Sequence, residues 1–244
     1  MDTLNIDSIK KYVEENIGVF HQKRLNRIQK LNLHTILRKK NPYLFKAKNI
    51  QTAAELVQNI FDAFLSSNEE TLFGEWLEGL AIFVNQSVYG GWKSGIPGID
   101  LEFNKDGIRY IVNIKSGPHW GNSSQIKKMR DDFNKAKRTL RTSNAQIRVI
   151  AVNGCCYGKD NQPDKGDYYK FCGQRFWEFI SGSENLYTDI IEPLGHKAKE
   201  KNNIFLTEYA RVLNKFTRQF LVEFCDADGN ILWEKLVAFN SAKN

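Results

Sequence analysis

The sequence predicts an α/β (α+β) fold, in which a central sheet is flanked by helices and a helical segment precedes it. Three observations predict this fold. Apolar residues recur at helical spacing over most of residues 9–84, two runs of alternating apolar residues follow between 99 and 114, and a β-branched run follows at 147–152. Helices that precede a hairpin, a further helix and a further strand are typical of a layered domain built around one sheet.

The first part of the chain predicts helices separated by short breaks. Apolar residues from Ile9 to Leu31 predict one long helix or two consecutive ones, and Asn41-Pro42 ends them because the residue before a proline disfavours helical geometry. Two further helices are predicted over residues 52–65 and 70–84, with a break at residues 66–68. The composition of that break, Ser-Ser-Asn, is typical of a loop.

The middle of the chain predicts a hairpin and then a helix. A loop rich in glycine leads into strands at 99–103 and 108–114, which are joined by a four-residue turn at 104–107. A polar helix is predicted over 123–141 and a strand over 147–152. Further helices are predicted around residues 176–180 and 205–224.

The net charge of +7 is unevenly distributed along the 244 residues. Residues 21–48 contain nine bases and no acid, and residues 122–148 contain eight bases and two acids. Dense local positive charge favours a polyanionic partner, although two solvated helix faces would produce the same pattern. The sequence has no apolar run long enough to span a membrane and no basic leader, so we expect a cytoplasmic protein without a membrane partner.

Three polar residues of the predicted hairpin fall on one sheet face. Side chains alternate along a strand, so a four-residue turn places Asp100 opposite Ile111 and on the same face as Asn113 and Lys115. A carboxylate, an amide and a lysine would then converge on one face while an apolar face backs them. The alternative interpretation of Asp100 and Lys115 is a salt bridge at the sheet edge.

These residue types suit metal-assisted cleavage of a phosphodiester bond. The Asp100 carboxylate and the main-chain carbonyl of Ile114 are hard oxygen ligands for a cation such as Mg²⁺, for which Mn²⁺ can substitute. Such a cation activates water, and Lys115 would stabilise the charge on the phosphate. Cysteine and histidine spacings do not indicate a zinc site.

The same residues resemble the PD-(D/E)xK nucleases, and among them the type II restriction endonucleases. Pro97-Gly98-Ile99-Asp100 is similar to the first half of that motif and Asn113-Ile114-Lys115 to the second. The resemblance implies a restriction-endonuclease-like central mixed β-sheet flanked by helices. It also implies a nuclease domain at 51–244, preceded at 1–50 by a helical extension that serves DNA binding or dimerisation.

Asn113 departs from the motif, because the family usually has an acid at that position. An amide oxygen can ligate a metal but adds no charge, so a second carboxylate is expected from elsewhere. The resemblance favours Glu78 on the helix predicted at 70–84, with Asp131 or Asp132 as the alternative. A third explanation is that Asn113 replaces a native acid.

The candidate DNA contacts come from the basic segments and from the loops beside the hairpin. The helix at 123–141 presents Arg130, Lys137 and Arg141 as a stripe beside its core face. Gln125 could orient water or phosphate, or could cap the helix. The full set of candidates comprises Lys39, Lys40, Lys93, Ser116, Gln125, Lys127, Lys128, Arg130, Lys137 and Arg141.

Together these features predict a Mg²⁺-dependent type II restriction endonuclease that cuts double-stranded DNA at a short specific sequence. We expect a homodimer, because a duplex has two strands to cut, and a cognate DNA methyltransferase in the host. One alternative is a repair or structure-specific nuclease of the same fold. The other is a DNA-binding protein whose catalytic site has decayed, which would bind DNA with a steep salt dependence and never cut it.

Overall fold

The computed structural model describes residues 4–143 and 146–243, with the backbone alone for Ser143. The helices are α1 (Ile6–Gln29), α2 (Leu33–Arg38), α3 (Pro42–Ala47), α4 (Ala53–Tyr89), α5 (Ser123–Ser143), α6 (Gln174–Ser181), α7 (Leu186–Asp189), α8 (Ile191–Leu194), α9 (Ala198–Phe224) and α10 (Trp233–Ser241). The strands are β1 (Trp92–Lys93), β2 (Leu101–Lys105), β3 (Ile108–Lys115), β4 (Arg148–Cys155) and β5 (Tyr169–Cys172).

The chain forms two compact units. The first comprises Met1–Ile17 and Phe73–His196 and contains the whole sheet, and the second comprises Gly18–Leu72 and Lys197–Asn244 and is helical. These units do not follow the boundary predicted at residue 50, because residues 51–72 lie in the helical unit. Whether residues 1–50 serve DNA binding or dimerisation stays a prediction.

The five strands form one mixed sheet in the order β1-β2-β3-β4-β5. The first three strands pair antiparallel, whereas β3, β4 and β5 pair parallel. The α5 helix connects the parallel strands β3 and β4, as such a crossover requires. A central mixed sheet flanked by helices is the fold class that the sequence predicts.

The hairpin turn is tighter than predicted. Asp106 and Gly107 both have positive φ, 52° and 73°, which is typical of a two-residue type I′ turn, and Lys105 therefore pairs with Ile108. The predicted register was wrong by two residues: Leu101 pairs with Val112, which brings Asp100 opposite Asn113. Because a shift of two residues preserves the face of every side chain, the predicted convergence of the polar residues is unaffected.

The two faces of the sheet carry separate cores. One face packs Leu101, Phe103, Val112 and Ile114 with apolar residues of α4 and α6. The other packs Ile111 and Ala151 with residues of α5, chiefly Met129, Phe133 and Ala136. Ile99 belongs to this second core, because β2 begins only at Leu101 and not at residue 99 as predicted.

The predicted break at residues 66–68 is wrong, since α4 is continuous across it. Its polar side chains bond to main-chain carbonyls one turn earlier, as Ser67 donates to Ala63 (3.0 Å) and Asn68 to Phe64 (2.7 Å). Such back-bonding allows serine and asparagine to remain inside a helix. The uninterrupted helix extends to Tyr89 and includes both Gly74 and Glu78.

The helical unit buries an aromatic core that includes Phe61, Phe216 and Phe220. Several bases of the 21–48 segment lie over aromatic rings of this unit, with cation-to-centroid distances of 3.4–5.8 Å. The pairs are Arg24 over Phe205, Arg38 over Phe239, Lys39 over Phe64, Lys46 over Trp233 and Lys48 over Phe45. The aliphatic stems of these bases therefore cover apolar surface.

None of the helices formed by the described residues has both the length and the apolar composition that a membrane span requires.

Candidate active site

Asp100 lies directly before β2 and is bound to the neighbouring strand β3. Its Oδ2 accepts a hydrogen bond from the main-chain N–H of Ile114 (2.6 Å) and another from Nδ2 of Asn113 (3.2 Å). Its own N–H donates to the carbonyl of Val112 (2.8 Å). Both side-chain bonds reach the same oxygen, so among the described residues Oδ1 of Asp100 accepts none.

Asn113 is buried, with 6% of its surface exposed, and its amide is only half satisfied. Its Nδ2 donates to the carbonyl of Gly98 (3.0 Å) as well as to Asp100. Its Oδ1 is buried and finds no hydrogen-bond partner within residues 4–143 and 146–243. A buried polar atom without a partner is costly, which points to a ligand that completes it.

The carboxyl group of Asp100 is in an unusual electrostatic environment. Burial raises its pKa above the ordinary value of 3.8, and the negative charge of Glu78 raises it further. The hydrogen bond from Ile114 and the charges of Lys115 and Lys93 act in the opposite direction without cancelling the rise. A carboxyl whose pKa is raised by a neighbouring negative charge is a favourable place for a cation.

Glu78 and Lys93 form an ion pair beside this carboxyl group, with 3.5 Å between Nζ and Oε1. Glu78 is on α4 and is partly buried, whereas the Lys93 side chain on β1 is 73% exposed. Lys93, proposed above as a DNA contact, thus neutralises part of the charge of Glu78. An exposed pair of this length contributes little to stability and can open readily.

Lys115 ends β3, and its side chain lies over an aromatic ring. Its Nζ is 5.3 Å from the ring centroid of Trp120. The Trp120 indole N–H in turn donates to Oδ1 of Asn153 (3.1 Å), on β4. Lys115 is close enough to Asp100 for its charge to lower the pKa of that carboxyl.

A second polar network holds the loop before Asp100. Glu102, 4% exposed, accepts from Ser94 Oγ (2.8 Å) and from Arg109 Nη1 (3.2 Å). Glu102 and Arg109 form an ion pair across the hairpin, with Arg109 diagonal to Glu102 rather than directly opposite. Because both Glu102 oxygens are engaged, this acid is structural.

Asp132, an alternative second acid, lies close to the same loop. A Cβ built at Gly98, whose φ is +82°, would lie 2.6 Å from Oδ2 of Asp132, so only glycine fits there. Asp132 is paired with Lys128 (2.8 Å). Asp131 is exposed, and its charge contributes to the raised pKa of the neighbouring Arg130.

Two of the predicted DNA contacts, Ser116 and Gln125, make contacts within the protein. Ser116 packs beside Gly74 of α4, where a Cβ built at Gly74 would touch its side chain at 3.6 Å. Gln125 caps α5: its Oε1 accepts from Asn122 N–H (2.9 Å), and its own N–H donates to Asn122 Oδ1 (3.0 Å). The capping alternative is thus the one that the structure shows.

The basic face of α5 is partly engaged inside the protein. Arg130 is paired with Asp167 (2.7 Å), and Lys137 donates to the Asp167 carbonyl (2.7 Å). Burial lowers the pKa of Lys137. Lys127 and Arg141 are exposed.

Lys39 and Lys40 belong to the helical unit. Lys40 donates to the carbonyl of Ala63 (2.8 Å), and Lys39 lies over Phe64 with its backbone at the end of α2. Their contact with DNA stays a prediction.

Two residues beside the site were not predicted for it. These are Asn153 and Asp167, and each meets its partner through the fold rather than through local spacing. The polar dipeptide Asn153-Gly154 at the end of an apolar strand is the one local signal for the former.

The donor set fits a hard divalent cation. The unpartnered amide oxygen of Asn113, the Oδ1 of Asp100 and the nearby Glu78 are oxygen ligands of the kind that Mg²⁺ prefers. In the part of the chain that the structure describes, no three acids, histidines or cysteines cluster as a metal site.

A mixed sheet whose β2–β3 hairpin brings an acid, an amide and a lysine close together is the arrangement expected of a nuclease of the PD-(D/E)xK type. Sequence comparison agrees with this class. The family model of type II restriction endonuclease EcoO109I matches residues 7–202, and the chain belongs to this family. Restriction endonucleases act on double-stranded DNA and generally depend on a divalent metal. A search of curated proteins finds no match.

Proposed function

We propose that the protein is a Mg²⁺-dependent type II restriction endonuclease that hydrolyses double-stranded DNA at a short specific sequence. One observation carries the proposal: Asp100, Asn113 and Lys115 lie close together. Asn113 has a buried amide oxygen without a partner among the described residues, the pKa of Asp100 is raised, and the charge of Lys115 acts on Asp100. Membership of the restriction endonuclease family supports the reaction class.

Four residues would hold the cation. Asp100 would bind through Oδ1, Asn113 through its unpartnered Oδ1, and Glu78 through its carboxylate. The main-chain carbonyl of Ile114 would be the fourth ligand. The N–H of Ile114 donates to Asp100, and the N–H and C=O of one strand residue point to the same side of the strand. When bound, Mg²⁺ lowers the pKa of a coordinated water and neutralises phosphate charge.

The remaining chemistry belongs to the chain itself. Lys115 would place its ammonium group against a non-bridging oxygen of the scissile phosphate and stabilise the added negative charge in the transition state. Glu78 would exchange its ion pair with Lys93 for the cation, which would free Lys93 to contact the DNA backbone. Exposed bases of α5 would fix the duplex by its phosphates.

The protein would act as a homodimer in the cytoplasm, and a cognate methyltransferase would protect the host DNA from cleavage. One site per chain is enough for one strand, and a two-fold dimer presents two sites to the two strands of a duplex. Mn²⁺ would substitute for Mg²⁺, because both accept oxygen ligands.

Digestion of a sequenced plasmid tests the proposal. We expect discrete fragments with Mg²⁺, and run-off sequencing should give one repeated sequence at every end. Lys115→Ala should leave the plasmid intact, while Lys235→Ala, which removes an exposed lysine of α10, should cut at the same sites. A smear or nicking without fixed ends would favour the structure-specific nuclease.

Binding of DNA without cleavage in either metal would favour the decayed site instead. Equal cutting by wild type and Lys115→Ala would remove Lys115 from the mechanism. Sedimentation of the protein on its own and with the cut sequence would test the dimer, since a single monomer per duplex contradicts it.

A further inference from the structure

The side chain of Lys115 rests on a support that comes from two other segments. Trp120 lies in the loop between β3 and α5, and its ring is the aromatic surface below the Lys115 ammonium group. Asn153 lies on β4 and is the strand partner of Asn113. One hydrogen bond, from the Trp120 indole to Asn153 Oδ1 (3.1 Å), connects the two segments.

Asn153 is a polar residue whose burial at this position costs free energy. It is 1% exposed, and its strand neighbours Ala151 and Val152 are apolar and buried. A buried amide costs free energy unless it is hydrogen-bonded, so an apolar side chain would suit mere packing better. Asn153 uses both ends of its amide, because Nδ2 donates to the Asn113 carbonyl (3.2 Å) while Oδ1 accepts from Trp120.

The loop that carries Trp120 is anchored at both of its ends. Lys170 donates to the carbonyl of Pro118 (2.9 Å), and the ring of Pro118 packs against Gly158 so closely that a Cβ there would lie 2.6 Å away. At the other end, Asn122 caps α5 together with Gln125. The indole therefore has a defined position, and the hydrogen bond to Asn153 fixes its orientation.

We propose that Trp120 and Asn153 are positioning residues for Lys115, and that Asn153 acts through Trp120. Lysine has four rotatable side-chain bonds, and a cation held over an indole face loses much of that freedom before the substrate arrives. Asn153 also bonds to the main chain of Asn113, so one buried amide aligns two residues of the site. The inference rests on the proposed function, in which Lys115 contacts the scissile phosphate.

Single-turnover cleavage of prebound DNA measures the effect. Trp120→Leu should lower the rate constant roughly 2- to 30-fold, the range that a cation–aromatic contact supplies. Trp120→Phe, which keeps a ring but loses the N–H, should lose less, and Asn153→Ala should lie between the two. DNA affinity should change less than about twofold in each, because the support does not touch DNA.

A double-mutant cycle separates positioning from general destabilisation. In a Lys115→Gln background, which has no cation to hold over the ring, Trp120→Leu should cost much less than in wild type. Trp233→Leu is the matched control, since it removes another tryptophan beneath a lysine, Lys46, in the helical unit. It should leave the rate unchanged. Equal losses from Trp120→Leu in both backgrounds would overturn the proposal.

A measurement without catalysis distinguishes failure of this inference from failure of the proposed function. Reductive ¹³C-methylation labels lysines, and the resonance absent from Lys115→Arg belongs to Lys115. We expect the ring to displace that resonance from the position of exposed lysines, and Trp120→Leu to return it there while Trp233→Leu does not. An undisplaced resonance in wild type would contradict the placement of Lys115 over Trp120, whether or not DNA is cut.

If no variant and no wild-type protein cuts DNA while the resonance is displaced and responds to Trp120→Leu, the support is confirmed and the proposed function fails. If wild type cuts DNA and Trp120→Leu cuts equally fast, the positioning role is wrong even if the resonance moves.

Discussion

The end of the β2–β3 hairpin and the basic face of α5 both carry the polar residues expected of a nuclease, but they use them differently. At the hairpin, Asp100 and Asn113 bond to each other and leave the buried Asn113 Oδ1 without a partner among the described residues. On α5, Arg130 and Lys137 are already bound to Asp167, and Lys127 stays exposed. The Oδ1 of Asp167 is itself buried without a partner among the described residues, but its Oδ2 is held by Arg130.

The difference shows which polar residues are available for a ligand. A buried, half-satisfied group indicates an absent partner, because leaving it unmatched costs free energy. A charge that is already paired indicates a structural role until something displaces the pairing. Sequence spacing alone does not distinguish the two cases.

The largest expected effect is on the chemical step. Lys115→Ala should lower the single-turnover cleavage rate roughly 100- to 1,000-fold, as loss of one transition-state contact does elsewhere, and should change DNA affinity only a few-fold. Quenched-flow cleavage and filter binding measure the two quantities. A loss confined to affinity would place Lys115 with the α5 bases rather than at the reacting phosphate.

Asn113→Asp should lower the Mg²⁺ concentration that cleavage requires. A carboxylate in place of the amide adds a charged ligand, so the Mg²⁺ concentration for half-maximal cleavage should fall about tenfold. Without metal the variant should melt at a lower temperature than wild type, because the new charge faces Asp100 and the Gly98 carbonyl. Unchanged Mg²⁺ dependence would exclude residue 113 from the ligand set.

The α5 face should respond according to how each base is paired. Lys127→Ala should weaken DNA binding a few-fold and reduce the salt slope by about one, as loss of one phosphate contact does. Arg130→Ala should have a smaller effect because the Asp167 carboxylate already holds that base, whereas Asp167→Ala should strengthen binding by freeing Arg130. Lys137 stays bound in that variant, because its partner is the main-chain carbonyl of residue 167. Equal weakening by Lys127→Ala and Arg130→Ala would show that the Asp167 pairing does not persist on DNA.

The smallest effect concerns stability and pH. Because burial raises the pKa of Asp100 in the folded state, keeping it ionised at neutral pH destabilises the metal-free protein. That penalty is absent below the ordinary pKa of 3.8 and develops as the pH rises through the raised value. Asp100→Asn should therefore melt higher than wild type at pH 7 without metal, and the difference should disappear towards pH 4. A constant difference across that range would contradict the raised pKa.

The sequence predicted the face of the polar residues better than their register. A four-residue turn was expected at residues 104–107, yet the positive φ values of Asp106 and Gly107 allow a two-residue turn. The error moved the pairing by two residues, which leaves the alternation intact, so Asp100, Asn113 and Lys115 still meet. The break expected near Ser67 was wrong because serine and asparagine can bond within a helix.

The rest of the site depends on long-range contacts. Trp120 and Asn153 are 33 residues apart, and Arg130 and Asp167 are 37 apart. No short-range sequence pattern connects such pairs, since only the folding of the chain around the sheet brings them together. The identity of the second acid likewise depends on how close α4 lies to the hairpin, and Glu78 stays a proposal with Asp132 as its alternative.

Binding of Mn²⁺ in the absence of DNA, followed by electron paramagnetic resonance, tests the central claim most directly. The account predicts about one ion bound per chain in wild type, strongly weakened binding in Asp100→Asn and Glu78→Gln, and unchanged binding in Lys115→Ala. Weakened binding in Asp132→Asn instead of Glu78→Gln would reassign the second acid. Equal binding by wild type and Asp100→Asn would contradict a metal centre at this hairpin.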